Sequence, residues 1–282
     1  MQYTLQNDKI RIKVNAFGGE LVSVIVDGKE KMWQNPTGEW EDHSPILFPV
    51  CGHFGVQANG KDYPMRAHGF AKRYNFTLKK QTEDSLHLYL ASSEETKKCY
   101  PFDFVFHVIY TIKDTTLTVD YAVENTGDSA LYFSCGAHES YALDTNVEDY
   151  VVQFEKEERF INRLHNDDGY MTGEYQDYGT GTIFPLPRDY LQEGRTVIFE
   201  NVQSKKARLL HKDGRAIAEV CFDGFDNILL WREDNAAFIC IEPWMNIPDK
   251  ENVPDVEFSK KPGVEEVAPH TTKTKTHSVT YF

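Results

Sequence analysis

The 282-residue chain is short of positive charge: 30 Lys and Arg stand against 44 Asp and Glu, a net charge of −14. A chain this acidic has no footprint for phosphate backbones or anionic lipid, which argues against nucleic-acid and membrane-surface partners. Long apolar runs are missing too. The longest, Ala236 to Ile241, is six residues, against the roughly 20 that a membrane-spanning helix needs. The opening Met1-Gln2-Tyr3-Thr4-Leu5 has neither a basic region nor an apolar stretch, so no signal peptide is expected. Cysteine is sparse: Cys51, Cys99, Cys135, Cys221 and Cys240 are odd in number and widely spaced, with no C-x-x-C. That pattern predicts reduced, buried thiols in a cytoplasmic protein rather than a disulfide framework.

Helical periodicity and the common catalytic motifs are absent as well. No segment of a dozen residues carries a clean 3.6-period apolar stripe; Arg188 to Glu193 is the one stretch that suggests a turn of helix. Gly52 and Gly55 do not complete a G-x-G-x-x-G, and no P-loop or G-x-S-x-G occurs. His138-Glu139 begins like a zincin motif, but Ala142 stands where the second histidine would be, so metal catalysis is not indicated.

Aromatic residues, by contrast, are plentiful: 15 Tyr, 18 Phe and 4 Trp make up 13% of the chain. They fall into period-2 alternation. Phe102, Phe104, Phe106, Val108, Tyr110 and Ile112 share one face, as do Leu117, Val119, Tyr121 and Val123, and Leu86, Leu88 and Leu90. Hairpin signals punctuate them at Asp27-Gly28, Asn59-Gly60, Asn125-Thr126-Gly127 and Asp213-Gly214, residue pairs that accept the positive φ of tight primed turns. Strands at short spacing over nearly the whole length predict an all-β fold, a large antiparallel β-sandwich, with residues 1–282 as a single domain. The stretch from Asn246 to Pro269 reads as a long ordered loop before a final strand, Thr276 to Phe282.

Three local sequences place a titratable group among turn residues or aromatics. His68, in Arg66-Ala67-His68-Gly69-Phe70, belongs either to a loop projecting into a cleft or to an ordinary solvated one. His138 follows the small residues Ser134-Cys135-Gly136-Ala137, which would let a bulky ligand approach the backbone; the alternative is a solvated strand-end histidine beside Glu139. Glu242 closes the apolar run Phe238-Ile239-Cys240-Ile241 and precedes Pro243-Trp244. A carboxylate so placed must find donors or rise in pKa, which makes it either a structural ion-pair partner or a general base. Trp244 suits core and sugar platform equally.

These segments carry a resemblance. Ser44-Pro45-Ile46-Leu47-Phe48-Pro49, His68-Gly69-Phe70-Ala71, Gly136-Ala137-His138 and Cys240-Ile241-Glu242-Pro243-Trp244 stand in the order seen in the aldose 1-epimerase (galactose mutarotase) family, and most resemble its LacX-like bacterial branch. The resemblance implies a galactose mutarotase-like supersandwich with an open sugar cleft, no metal or organic cofactor, and a small-molecule sugar as partner, in a monomer or homodimer. It implies interconversion of the α and β anomers of a free aldose, with Glu242 as catalytic base, His138 as catalytic acid and His68 contacting the sugar near its ring oxygen. Lys72, Arg73, His53, Phe70, Trp244 and Asp249 are the expected substrate-binding residues. Three positions depart from the pattern: His53 and Lys72 stand where the branch usually has arginine, and Glu139 where proline usually follows the histidine. Lysine lacks arginine's bidentate fork, so the departures bear on substrate identity more than on reaction type. The alternatives are a hexose-6-phosphate 1-epimerase, for which Arg66, Lys72 and Arg73 would supply charge, and a non-catalytic carbohydrate-binding protein of the same fold.

Overall fold

The structure, a computed structural model, describes residues 1–191, 195–252 and 256–282. The alternating 102–125 segment folds as the paired strands Phe104–Lys113 and Thr116–Asn125. Phe104, Phe106, Val108, Tyr110 and Ile112 are buried on one strand, Leu117, Val119, Tyr121 and Val123 on the other. The turn between them is made by Asp114 at φ 53, a left-handed aspartate that no following glycine betrays in the sequence.

This pair lies within one thirteen-stranded sheet whose strand pairings are antiparallel throughout. The sheet starts at Ser140–Ala142 and passes through Phe238–Trp244, Asn227–Trp231, Val197–Phe199 and Tyr150–His165. It continues through Lys206–His211, Ala216–Cys221 and Thr272–Tyr281 to the 104–125 pair, and ends at Ser85–Ala91 and Thr77–Gln81. Met171–Pro185 adds a branch on Tyr150–His165. A four-stranded sheet, Gln2–Gln6, Ile10–Asn15, Leu21–Val26 and Lys29–Glu30, packs against it. Ile12, Val14 and Val24 join Leu86, Leu88 and Phe106 in one core, and the Tyr110 hydroxyl donates to the Gly19 carbonyl at 2.7 Å between the layers. Each fully buried side chain of this kind contributes about 1.5–3 kcal/mol, so the sandwich stands without cross-links.

The sequence expectations meet several corrections. Asp27-Gly28, Asn59-Gly60 and Asp213-Gly214 do join hairpins, but Asn125-Thr126-Gly127 does not. There Asn125 is buried, donates to the Ser129 and Val267 carbonyls, and accepts from the Gly127 N–H. The chain turns through that side chain into Leu131–Phe133, which pairs with Glu265–Val267. The final strand starts earlier than expected, at Thr272. The 246–269 loop contains a 3₁₀ turn, Phe258–Lys260, and the Glu265–Val267 strand. The expected helical turn is a 3₁₀ turn at Arg188–Tyr190, but it is not alone: Ala71–Arg73, Thr96–Lys98 and Val147–Asp149 form others that the sequence did not signal; residues 192 and 193 of the expected stretch lie outside the described residues. All five cysteines are free, yet only Cys51, Cys135 and Cys240 are buried, Cys99 and Cys221 being partly exposed. Among the described residues no helix is long and apolar enough to cross a membrane.

One strand carries the candidate residue Glu242. In Phe238–Trp244, Ile239 and Ile241 enter the main core, whereas Phe238, Cys240 and Trp244 pack on the opposite face in two smaller clusters. Side chains alternate along a strand, so Glu242 shares that second face.

Candidate active site

Glu242 is 1% exposed, held by pairing of its strand to Leu229 on one side and of Cys240 to Ser140 on the other. His138 comes from the segment just before Ser140–Ala142, laced between two neighbours. Ser134 donates to the Pro49 carbonyl, Gly136 exchanges hydrogen bonds with Leu47, and Ala137 donates to Pro243. The glycine is required: a Cβ at Gly136 would stand 2.7 Å from Trp244 Cδ1 and 2.8 Å from Cys51 Sγ. The small residues before His138 therefore admit the protein's own Trp244 ring, where the sequence suggested room for a ligand.

His68 is fixed by its backbone. With φ 63, it donates its N–H to the Gly52 carbonyl at 2.9 Å, and its Nδ1 accepts from Gly52 N–H at 3.2 Å. That reciprocal bond assigns the proton of the neutral ring to Nε2. Gly69, also left-handed, passes so close to Phe48 that a Cβ would lie 2.1 Å from its carbonyl oxygen.

These elements bring the three candidates together. His138 Nε2 lies 3.2 Å from Glu242 Oε2, and the His68 ring sits 5.7 Å from the His138 ring and 5.4 Å from Trp244. All line one cavity of about 330 Å³. The His138–Glu242 approach is an ion-pair distance without a directed hydrogen bond, since Glu242 Oε2 has no hydrogen-bond partner. The pair is close but not locked, and both groups remain able to engage another oxygen.

Electrostatics follow from burial. Desolvation pushes the Glu242 carboxyl well above the ordinary carboxylate range, partly opposed by Trp244. Desolvation, then His68 and Lys72, push His138 well below an ordinary imidazole. His68 falls to about 3 through burial and the nearby Lys72, His53 and Arg73. A raised acid beside a lowered base holds one proton between them over a wide pH range.

The structure also supplies residues that the sequence did not mark. Trp40 stacks on His138 with ring centroids 5.3 Å apart, and Trp231 meets both edge-on at 5.1 and 5.6 Å. Asp42 lines the cavity and pairs with Lys72. The segment bearing Trp40 and Asp42 is anchored by the half-buried Glu20, which accepts from His43 and Ser44 N–H groups at 2.7 and 3.0 Å. The only sequence cue was an aromatic between acids in Glu39-Trp40-Glu41-Asp42.

Of the expected binding residues, Trp244 and Lys72 line the cavity; four do not. Phe70 is core, packed among Phe48, Tyr100 and Phe104. Arg73 is exposed and donates to the Gly69 carbonyl. His53 faces Tyr170, ring to ring at 4.6 Å. Asp249 accepts from Gly55 N–H and from Lys261 beside a different cavity. Among the described residues, one group has the donor types and spacing for a cation: His138, Cys240 and Glu242, with ligand atoms all within 4.8 Å of one another.

Comparisons with known proteins give the chain its family. The chain is 27% identical to the chromosomal protein LacX of Lactococcus lactis subsp. lactis, over 99% of each chain. Among solved structures, it matches a galactose mutarotase related enzyme from Lactobacillus acidophilus at TM-score 0.91 and 27% identity, covering 100% of this chain and 97% of that one. It also matches a galactose mutarotase-like protein from Lactobacillus casei at TM-score 0.91 and 26% identity, covering 100% of both. The family profile described as aldose 1-epimerase matches residues 1–260; the chain belongs to the aldose 1-epimerase family.

Proposed function

We propose that the protein interconverts the α and β anomers of a free aldohexose, with Glu242 and His138 as the acid–base pair. The observation that carries this reading is the convergence of Glu242, His138 and His68 on one cavity from strands and loops far apart in the chain. At about 330 Å³ the cavity lies at the small end of ligand pockets, about 300–1,000 Å³, a size for one sugar ring. The indoles of Trp40, Trp231 and Trp244 offer apolar surface to its C–H faces.

The dyad's single proton serves the reaction. Held on the Glu242 carboxyl at rest, that proton first passes to His138; the Glu242 carboxylate then takes the C1 hydroxyl proton while His138 protonates the ring oxygen, and the C1–O5 bond breaks to give the open aldehyde. Rotation about C1–C2 presents the other carbonyl face. As the ring closes, neutral His138 takes the proton back from the attacking O5 hydroxyl while Glu242 returns its proton to the carbonyl oxygen. His68 Nε2–H donates to the sugar near the ring oxygen. Each positioned acid or base supplies about 10²–10⁴-fold, so the two together lower the barrier by roughly 5–11 kcal/mol.

A neutral sugar suits the cavity better than a phosphorylated one. Among the described residues lining it, Lys72 is the one cation, and its ammonium is already paired with Asp42. The test is saturation transfer between sugar anomers by NMR, with wild type and Glu242→Gln. The wild type is expected to exchange free aldose anomers and the variant to lose at least about 10²-fold. Exchange confined to hexose 6-phosphates, or sugar binding without exchange, would overturn the reading.

A further inference from the structure

Cys240 has no part in the mechanism above, yet it shares the catalytic face of the Phe238–Trp244 strand two residues from Glu242. It is fully buried. One ligand atom each from His138, Cys240 and Glu242 lies within 4.8 Å of the others. Tetrahedral zinc binds thiolate sulfur at about 2.3 Å and nitrogen or oxygen at about 2.0–2.2 Å, which sets ligand atoms about 3.4–3.7 Å apart. Closing the widest pair to that spacing takes about 1 Å, within reach of small side-chain rotations. Two further facts point to a ligand. Glu242 Oε2 is a buried polar atom with no hydrogen-bond partner, and Glu242 and His138 both line an open cavity through which a hydrated ion can enter and in which it can keep a water.

We propose that His138, Cys240 and Glu242 form a three-ligand site for a thiophilic divalent cation of the zinc class, occupied from the cavity and exclusive of sugar turnover. The donor set, one sulfur, one nitrogen and one oxygen, favours zinc over magnesium or calcium, which take oxygen ligands. On binding, the Cys240 S–H bond is exchanged for a sulfur–metal bond, and that proton, with the one shared by His138 and Glu242, passes to solvent. The dyad then has neither its proton nor its free lone pairs. The site stands on geometry alone; the claim that its occupancy stops turnover rests on the epimerase reading.

The experiment separates the two. Cobalt(II) is titrated into the wild type and Cys240→Ala, and the near-ultraviolet charge-transfer band of a cobalt–thiolate bond is followed. Zinc is added to displace the cobalt, and anomer exchange is measured in parallel. The wild type is expected to show the band at one cobalt per chain and to lose it to zinc. Zinc should block its turnover, and a chelator should restore it. Cys240→Ala is expected to fold, as circular dichroism will report, to keep turnover, and to need at least about tenfold more zinc for inhibition. A band absent from the wild type, or retained in Cys240→Ala through Cys99 or Cys221, overturns the site. If Cys240→Ala fails to fold, Cys240→Ser gives the same readout. If the band behaves as expected and no sugar is turned over, the epimerase reading falls and the metal site stands.

Discussion

At the scale of single residues, Lys72 sets the electrical tone of the cavity. Its charge is among the causes that lower both His68 and His138, and its partner Asp42 faces the same space. Removing a nearby cation makes an imidazole easier to protonate. Lys72→Met is therefore expected to move the acid limb of the kcat/KM profile for anomer exchange to higher pH; an unmoved limb would show that Asp42 already cancels the lysine. The three titratable residues of the site were visible in the sequence because each stands out locally: a histidine before glycine, a histidine after small residues, a glutamate closing an apolar strand. Trp40, Asp42 and Trp231 were not. They reach the cavity from segments far from His138 on either side in the chain, and nothing in their own neighbourhoods encodes that meeting. Phe70 and Asp249 failed for the converse reason, lying in suggestive local sequence while their side chains turn into the core or to Lys261.

At the scale of elements, period-2 alternation was a faithful guide because most strands have one wet face and one dry face. Turns were read less well. Asp-Gly and Asn-Gly pairs marked real hairpins, but Asp114 makes its turn without glycine, and Asn125 spends its side chain on backbone carbonyls instead of forming one. The close approaches that place the site were invisible, since a glycine does not announce what lies against it. Gly69→Ala meets both a left-handed φ of 71 and the Phe48 carbonyl; it is expected to destabilise the fold by about 2–4 kcal/mol in urea titrations. Gly136 has no such φ, so Gly136→Ala displaces Trp244 instead. Its expected signature is a raised KM with smaller loss of stability than Gly69→Ala, and equal losses would count against this division.

At the scale of the whole molecule, partly or fully desolvated histidines set the acid limit. His43, His68, His87, His107 and His138 are all lowered, each first by burial, with His68 at about 3 and His87 at about 4. Unfolded histidine binds its proton near pH 6.5. Below that pH the unfolded chain holds more protons than the folded one, and stability falls as pH falls. Glu20 and Glu242, raised by burial, act in the opposite sense, but they are two against five. The unfolding midpoint is expected to be at least about 3 °C lower at pH 5 than at pH 7, and a flat midpoint would refute the account. The sheet's ends differ: Thr77–Gln81 is exposed and carries Lys79 and Lys80, a charged edge that discourages strand addition, whereas Ser140–Ala142 is covered by the chain at Met32 and Trp33.

The strand next to that covered end carries core residues on one face and the candidate base Glu242 on the other. Deleting a single residue within 238–241 would turn Glu242 toward the core and a neighbouring aliphatic toward the sugar. Fold and activity would be lost in the same event, with no intermediate for selection to keep. Drift along this strand is thereby confined to substitution in place, and its length is the part of the protein least free to change.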